Sequence, residues 1–516
     1  MTVLKATMDL HESYVDDRRE RISEPLCMPP TAAEPTTSIN LAQTLFQPSE
    51  FDESLEEQLA QSISSCDRRH PTVSTEIPNI FPHEHDKNFL ILTSAGKPIY
   101  AMKDSDSTIG YMGVINTIMS YFRLKEGQDL RCIENDDVRF AFLDREPIVL
   151  VAYSARGETS NELFSQLDFL HSYLLSSLSE RKLSKIFSKR QNFDLRNFLE
   201  STDFENLNEI CSLLCERFYP DTLLGALRSL SMRKSHRAQL HEAMSQQLNK
   251  EAYLPRGMLL YGLIVAPDNK LCSVLRPKGH TLHTTDLHLL FCLIFHRFQN
   301  LDDSQELWVP ICFPKFNANG FLYGYIKFLS KGNSILVLIS AQKDAFFNLK
   351  SFADHLIKDI TSSGLLEEIH KSKGFKISDI PAPLVHHFIY KSKKHVQYVM
   401  PELEFHSDIN PKEAMELERK FMNYYQQIHN SVIRDDGLSF NKSCLNFIKW
   451  ESDADEPSEE PIAMLGLGWI TPKFELYLLC NNGVEDKHVI FESAKKIISW
   501  CRKHESRLFV NEGAIF

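Results

Sequence analysis

From residue 87 onward the apolar positions follow two periods in turn. Residues 88–93 form a largely apolar run of strand length, Ser94-Ala95-Gly96-Lys97 has the composition of a tight turn, and 98–102 returns as a strand opened by proline. Ile109, Met112, Ile115, Met119 and Phe122 then recur at the three- and four-residue spacing of a buried helical stripe. Strands are predicted at 130–133, 138–143 and 148–153. A long helix follows, with Leu163, Leu167, Leu170, Leu174 and Leu178 on one face. The order is β-β-α-β-β-β-α. It returns with strands at 257–266, 271–276, 307–313, 321–328 and 335–340, a helix carrying Leu287, Leu290, Ile294 and Phe298, and a closing helix over 343–361. In the third copy Asn410-Pro411-Lys412-Glu413 opens a helix with a cap residue, a first-turn proline and an acidic residue. Strands at 385–390, 396–399, 444–450, 464–469 and 474–480 surround that helix, and a last helix carries Ile497 and Ile498.

Three copies of one order predict three similar α+β domains in series, each a five-stranded antiparallel sheet flanked by helices. The boundaries fall at 87–192, 256–362 and 385–516, with a helical connector at 193–255 and a linker at 363–384. Residues 1–86 lack either period. The first 80 hold 14 acidic and 6 basic residues and are rich in Ser, Thr and Pro, so an unstructured acidic tail is expected. Within it, Phe51, Leu55, Leu59 and Ile63 keep a four-residue spacing. A second acidic stretch, 451–461, is expected as an exposed loop.

Composition narrows the function. A net charge of −12 argues against a nucleic-acid ligand. Eleven cysteines without regular spacing fit buried free thiols rather than a disulfide framework or a metal cage. The first 17 residues are not patterned as a secretory leader, and 258–266 is far too short to span a bilayer, so the expectation is a cytosolic protein that meets membranes peripherally. No phosphate-binding loop, nucleophile elbow, metalloprotease helix or kinase signature is present. Gly466-Leu467-Gly468 lacks a third glycine and lies inside a strand pattern. His280, His283 and His288, with Asp286 among them, read as surface or capping groups, and His386-His387 should face opposite sides of a strand. No catalytic residue, metal or cofactor is therefore assigned. Three basic clusters remain: Arg181, Lys182, Lys185, Lys189 and Arg190; Arg233, Lys234, His236 and Arg237; Lys391, Lys393 and Lys394. Each fits a solvated face or a contact with anionic phospholipid or phosphoinositide headgroups, and the first cluster is the chosen lipid-contact candidate.

The repeated order resembles the longin fold. The segments Ser94-Ala95-Gly96-Lys97-Pro98-Ile99-Tyr100, Asp286-Leu287-His288-Leu289-Leu290, Pro314-Lys315-Phe316-Asn317-Ala318-Asn319-Gly320-Phe321, Ala345-Phe346-Phe347, Lys473-Phe474-Glu475-Leu476-Tyr477 and Arg507-Leu508-Phe509 are similar, in order, to the SAND (Mon-one) family. That resemblance implies three longin domains and a heterodimer with a Ccz-type longin subunit. It implies guanine-nucleotide exchange on a late-endosomal or lysosomal Rab of the Rab-seven class, exchange by the complex and not by this chain alone, and recruitment to endosome or vacuole membranes. An early-endosomal Rab is a further implied partner. The first domain's helix, around Met112, Ile115, Asn116 and Met119, becomes the candidate Rab or partner interface, although the three apolar members equally fit a core stripe. A tri-longin factor for another Rab, or a tether without exchange activity, is the alternative class.

Overall fold

The computed structural model describes residues 87–102, 106–135, 138–190, 193–216, 220–248, 254–276, 281–297, 305–329, 334–372, 374–403, 410–433, 443–451, 463–481, 483–484 and 486–511. The acidic tail with its 51–63 stretch, residues 452–461 of the second acidic stretch, and His280 lie outside them. The first domain comprises β1 (Lys87–Thr93), β2 (Pro98–Ala101), α1 (Asp106–Tyr121, extended by a π turn over Phe122–Glu126), β3 (Cys132–Asn135), β4 (Val138–Arg145), β5 (Ile148–Ser154), α2 (Ser160–Leu178) and α3 (Glu180–Lys189). Its sheet runs β2-β1-β5-β4-β3, antiparallel throughout. Alternate residues of β1 serve opposite layers. Leu90 and Leu92 pack with Met112, Ile115 and Met119 of α1. Phe89 and Ile91 pack with Leu163, Leu167, Leu170 and Leu174 of α2. Every β1 residue is buried, which is why the strand reads as a continuous run rather than an alternation.

The connector holds α4 (Ser201–Glu216), α5 (Pro220–Leu224), β6 (Leu227–Arg228) and α6 (Lys234–Leu248). The second domain has β7 (Tyr261–Ala266), β8 (Lys270–Leu275), α7 (Thr284–Arg297), β9 (Glu306–Ile311), α8 (Pro314–Asn317), β10 (Leu322–Leu329), β11 (Ser334–Ser340), α9 (Phe346–Ser362) and α10 (Leu365–Lys371), in the sheet β8-β7-β11-β10-β9. The third has β12 (Val385–Ser392), β13 (Gln397–Val399), α11 (Pro411–Val432), β14 (Cys444–Glu451), β15 (Ala463–Ile470), β16 (Phe474–Cys480), α12 (Lys487–Lys503) and α13 (Glu505–Leu508). Here the expected five strands are six, in the order β14-β15-β16-β12-β13-β6. The added strand comes from the connector, which was expected to be helical. β6 pairs parallel with β13 through Leu227 N–H to Val396 O (3.1 Å) and Ser229 N–H to Tyr398 O (3.2 Å), and so covers an edge that five strands would leave open.

The three cores interlock. Leu289 of α7 is buried among first-domain residues, and Val510, after α13, is buried in the second-domain core. Gln397 holds Val510 like a ladder partner, its amide donating to Val510 O (3.0 Å) and its oxygen accepting from Val510 N–H (2.9 Å). Arg237 of α6 is buried without a carboxylate partner among the described residues. It donates instead to the carbonyls of Cys272 (2.9 Å), Leu230 (2.5 Å) and Arg507 (3.1 Å), fastening second domain, connector and third domain at one point. Burial pulls its pKa down to about 10. At the second–third domain boundary Glu402 accepts from Lys270 (2.9 Å) and Arg228 (3.2 Å).

Gly466 and Gly468 have a packing role. A Cβ on Gly468 would lie 2.4 Å from Val432 Cγ2 and 2.8 Å from Ile428 Cγ2, because α11 rests directly on β15. We expect Gly468→Ala to destabilise the third domain by about 1–3 kcal/mol through overpacking, seen as a lower urea midpoint. Gly113→Ala, on an exposed helical position with nothing within 4 Å of the new Cβ, should raise stability or leave it unchanged. Equal midpoints for the two variants would refute the packing account.

Candidate interaction face

α1 is apolar on both sides. Met112, Ile115 and Met119 are 2%, 8% and 8% exposed, so these candidates are committed to the sheet. Asn116 is half-buried and sits under the β1–β2 turn. Gly96 there has φ +80°, and a Cβ on it would come within 2.8 Å of Asn116 Nδ2. Asn116 and Gly96 are thus a close fit that fixes the hairpin on the helix. The opposite side of α1 carries Gly110, Gly113, Val114, Thr117 and Tyr121, continued by Leu124 on the π turn, all exposed. Val114, Tyr121 and Leu124 are 56%, 51% and 86% exposed, while Lys125 Nζ lies 5.0 Å from the Tyr121 ring centre. A helix apolar all round ordinarily has a second covering layer. Arg123, at the end of this face, is held by Asp129, Asp144 and Glu146, which leaves the apolar stripe flanked by an ion cluster with more carboxylates than cations. At the far edge of the same sheet β3 has no second strand partner among the described residues, and its Ile133 is exposed.

The basic clusters separate on pairing. Lys391 and Lys393 meet Glu475 at 3.0 and 3.5 Å, and Lys394 and His395 meet Glu505 at 3.3 and 2.6 Å. Arg237 is the buried clamp described above, and His236 lies 3.3 Å from Glu368, while Arg233 and Lys234 are exposed. On α3, by contrast, Leu183 and Phe187 turn inward. Arg181, Lys185, Lys189 and Arg190 face outward with no ion pair to a described carboxylate. Lys182 is half-buried, its Nζ 4.6 Å from the Phe198 ring centre. α3 thus presents a cationic face.

His386 is exposed and His387 buried, the latter hydrogen-bonded to Tyr425 Oη (2.6 Å) and Pro401 O (3.0 Å). Asp286 accepts from Lys315 N–H (3.1 Å) and Phe316 N–H (3.0 Å), a structural cap on α8. Its neighbour His288 is buried and His283 is exposed. Among the described residues no cluster of His, Cys, Asp and Glu is gathered as a metal ion requires, and no helix is long and apolar enough to cross a membrane.

Three family models match in sequence: the first longin domain of FUZ, MON1 and HPS1 over residues 87–210, the second over 257–358 and the third over 384–505. The chain is 52% identical to vacuolar fusion protein MON1 of Saccharomyces cerevisiae, over 93% of this chain and 83% of that protein. The chain belongs to the MON1 family. It is also similar to vacuolar fusion protein MON1 of Candida glabrata, at 44% identity over 90% of this chain and 83% of that one. The protein of that name in Eremothecium gossypii is 40% identical, over 94% and 92%. The three sheets are therefore those of three longin domains in series, and the exposed α1 face belongs to the first.

In this MON1-family chain Met112, Ile115 and Met119, named from the sequence as interface candidates or core, lie on the inner face of α1. The outer residues Val114, Tyr121 and Leu124 carry a signal of their own, a seven- then three-residue spacing that keeps them on one helical face offset from the first. Truncation separates the two faces. We expect Met112→Ala to cost about 2–5 kcal/mol and Leu124→Ala to stay within about 0.5 kcal/mol of the parent. Comparable losses from both, measured by chemical denaturation, would mean that Leu124 is not a free surface residue.

Proposed function

We propose that this chain is one subunit of a heterodimeric guanine-nucleotide exchange factor for a late-endosomal or lysosomal Rab of the Rab-seven class, paired with a Ccz-type longin subunit and acting in endosome maturation and vacuole fusion. The observation that carries the reading is the apolar outer face of α1 on a first longin domain, with the β3 edge unpaired among the described residues of the same sheet. A second longin domain offers helices and strand edges of matching dimensions to cover both. The Rab then sits across the two subunits.

Such a factor breaks no covalent bond. It binds the nucleotide-free Rab more tightly than the nucleotide-bound form, and each tenfold shift in that balance requires about 1.4 kcal/mol of differential contact. An extended surface shared between subunits provides this, and the α1 residues position the partner rather than touch nucleotide. The cationic face of α3 supports a peripheral contact with anionic phospholipid, at roughly 1 kcal/mol per basic residue near the surface.

Fluorescent-nucleotide release tests the reading. The pair should accelerate release from the late-endosomal Rab and this chain alone should not. Val114→Asp with Leu124→Asp should abolish both pairing and exchange while the chain stays folded. Full activity from this chain alone would refute the shared site, and a pair inactive on every Rab would favour a tether. Separately, Arg181→Glu, Lys182→Glu and Lys185→Glu together should weaken flotation with anionic vesicles, and added salt should do the same to the parent. Unchanged flotation would return α3 to an ordinary solvated face.

A further inference from the structure

The N-terminal turn of α2 meets the third domain. Glu162, the third residue of α2, is 8% exposed, and its N–H donates to the capping Thr159 Oγ1 at 3.2 Å. Both of its carboxylate oxygens accept from α11: Gln426 Nε2 donates to Oε1 at 2.6 Å and Asn430 Nδ2 to Oε2 at 3.1 Å. Gln426 and Asn430 are one helical turn apart, so they form a two-pronged donor set matched to a single carboxylate. Both are neutral amides. Their neighbour His429 packs against Tyr477 inside the third domain, and burial holds its pKa down at about 4.

Behind Glu162 lies a second buried carboxylate. Glu158, before α2, is 4% exposed, and it accepts from Lys87 Nζ (2.5 Å), Ser154 Oγ (2.5 Å) and Gln166 Nε2 (3.0 Å). Lys87 of β1 also donates to Gln166 Oε1 (2.7 Å) and to Leu214 O of α4 (3.2 Å). Arg139 of β4 spends its guanidinium on the Glu158 carbonyl and on Glu134. One buried ammonium therefore lies near two buried carboxylates, and of the two it is Glu158 that takes a hydrogen bond from it. Glu162 is left with amide donors from another domain.

We propose that Glu162 is a protonation-governed latch, holding α11 of the third domain against the first domain and loosening as its carboxyl ionises. The inference is independent of the proposed exchange activity. An ionised Glu162 keeps both amide bonds but carries an uncompensated buried charge beside Glu158. A protonated one loses that charge and stays bonded, since an amide side chain can turn its oxygen toward the new O–H donor. Burial, followed by the charge of Glu158, raises its pKa to about 7, against smaller lowering by Lys87, Asn430 and Gln426. In an open state the carboxyl returns to the ordinary range near 4.5. The sign follows from this difference. Below both values the latch is fully effective. Between them opening releases one proton, so the opening constant rises by up to tenfold per pH unit, and above about 7 it levels off.

The test is hydrogen exchange in α11 of the full chain from pH 5 to 8, expressed as protection relative to the intrinsic rate at each pH, with α12 as internal reference. Parent protection over α11 should fall by up to tenfold per pH unit toward pH 7 and then flatten. Glu162→Gln should keep α11 protected at every pH. Glu158→Gln, which leaves Lys87 to Glu162, should end the fall at a lower pH. A parent profile without the fall, or the same fall in Glu162→Gln, overturns the latch. Should Glu162→Gln fail to fold, an unshifted profile in Glu158→Gln overturns it equally.

Discussion

The central strands of all three sheets are buried on both faces, and the rest of the molecule answers that demand. β1, β7, β11 and β16 have no exposed residue along their length. A sheet apolar on both sides needs a helical layer on each, and a five-stranded order with two helices provides only those two. In the first domain α1 and α2 supply them. In the second, α7 covers one face while α9 shares the other with α6 from the connector. The connector's α6 is therefore part of a core, and the described residues before it lend a strand to the third sheet as well. Leu289 and Val510, each buried in a neighbour's core, extend the same logic.

Legibility in the sequence follows from the same constraint. Strands buried on both faces announce themselves as short apolar runs, and the helices that cover them as single stripes, so the order β-β-α-β-β-β-α could be read three times over. β6 could not, because two residues set no period and its partner β13 lies some 170 residues away. The outer face of α1 is obscured for the opposite reason: with apolar residues on both sides of one helix, the stronger stripe masks the weaker. Charge pairing was invisible for want of distance information. Lys391 and Glu475 are 84 residues apart, and His395 and Glu505 are 110 apart, so nothing local distinguished those paired cations from the open ones on α3.

The polar contacts between domains are not interchangeable with their apolar ones. Arg237 gives its donors to backbone carbonyls, which neither titrate nor change rotamer, so the point where second and third domains meet is fixed in geometry and insensitive to pH over the physiological range. Lys315 with Asp168 at 2.6 Å joins first and second domains as a half-exposed ion pair, a contact of small worth beside the burial of Leu289. The first-to-third-domain contact at Glu162 differs from both. It is buried, it rests on a titratable group, and its donors come from side chains that can reorient.

These properties place the first domain in a particular position. One face of its sheet carries α1, whose outer residues Val114, Tyr121 and Leu124 are exposed. The other face carries α2, whose residues reach the second domain through Asp168 and the third through Glu162. Leu90 and Leu92 touch the α1 layer while Phe89 and Ile91, their neighbours on the same strand, touch the α2 layer. A shift of the sheet against either helix is thus felt in the other layer through one strand's alternating side chains, since packed interiors transmit displacement rather than absorb it. Any partner that binds α1 differently in the latched and unlatched states must, by linkage, change the proton affinity of Glu162 by the same factor, and protonation must change that partner's affinity in turn. The two faces of one five-stranded sheet are the physical path along which such a coupling would run.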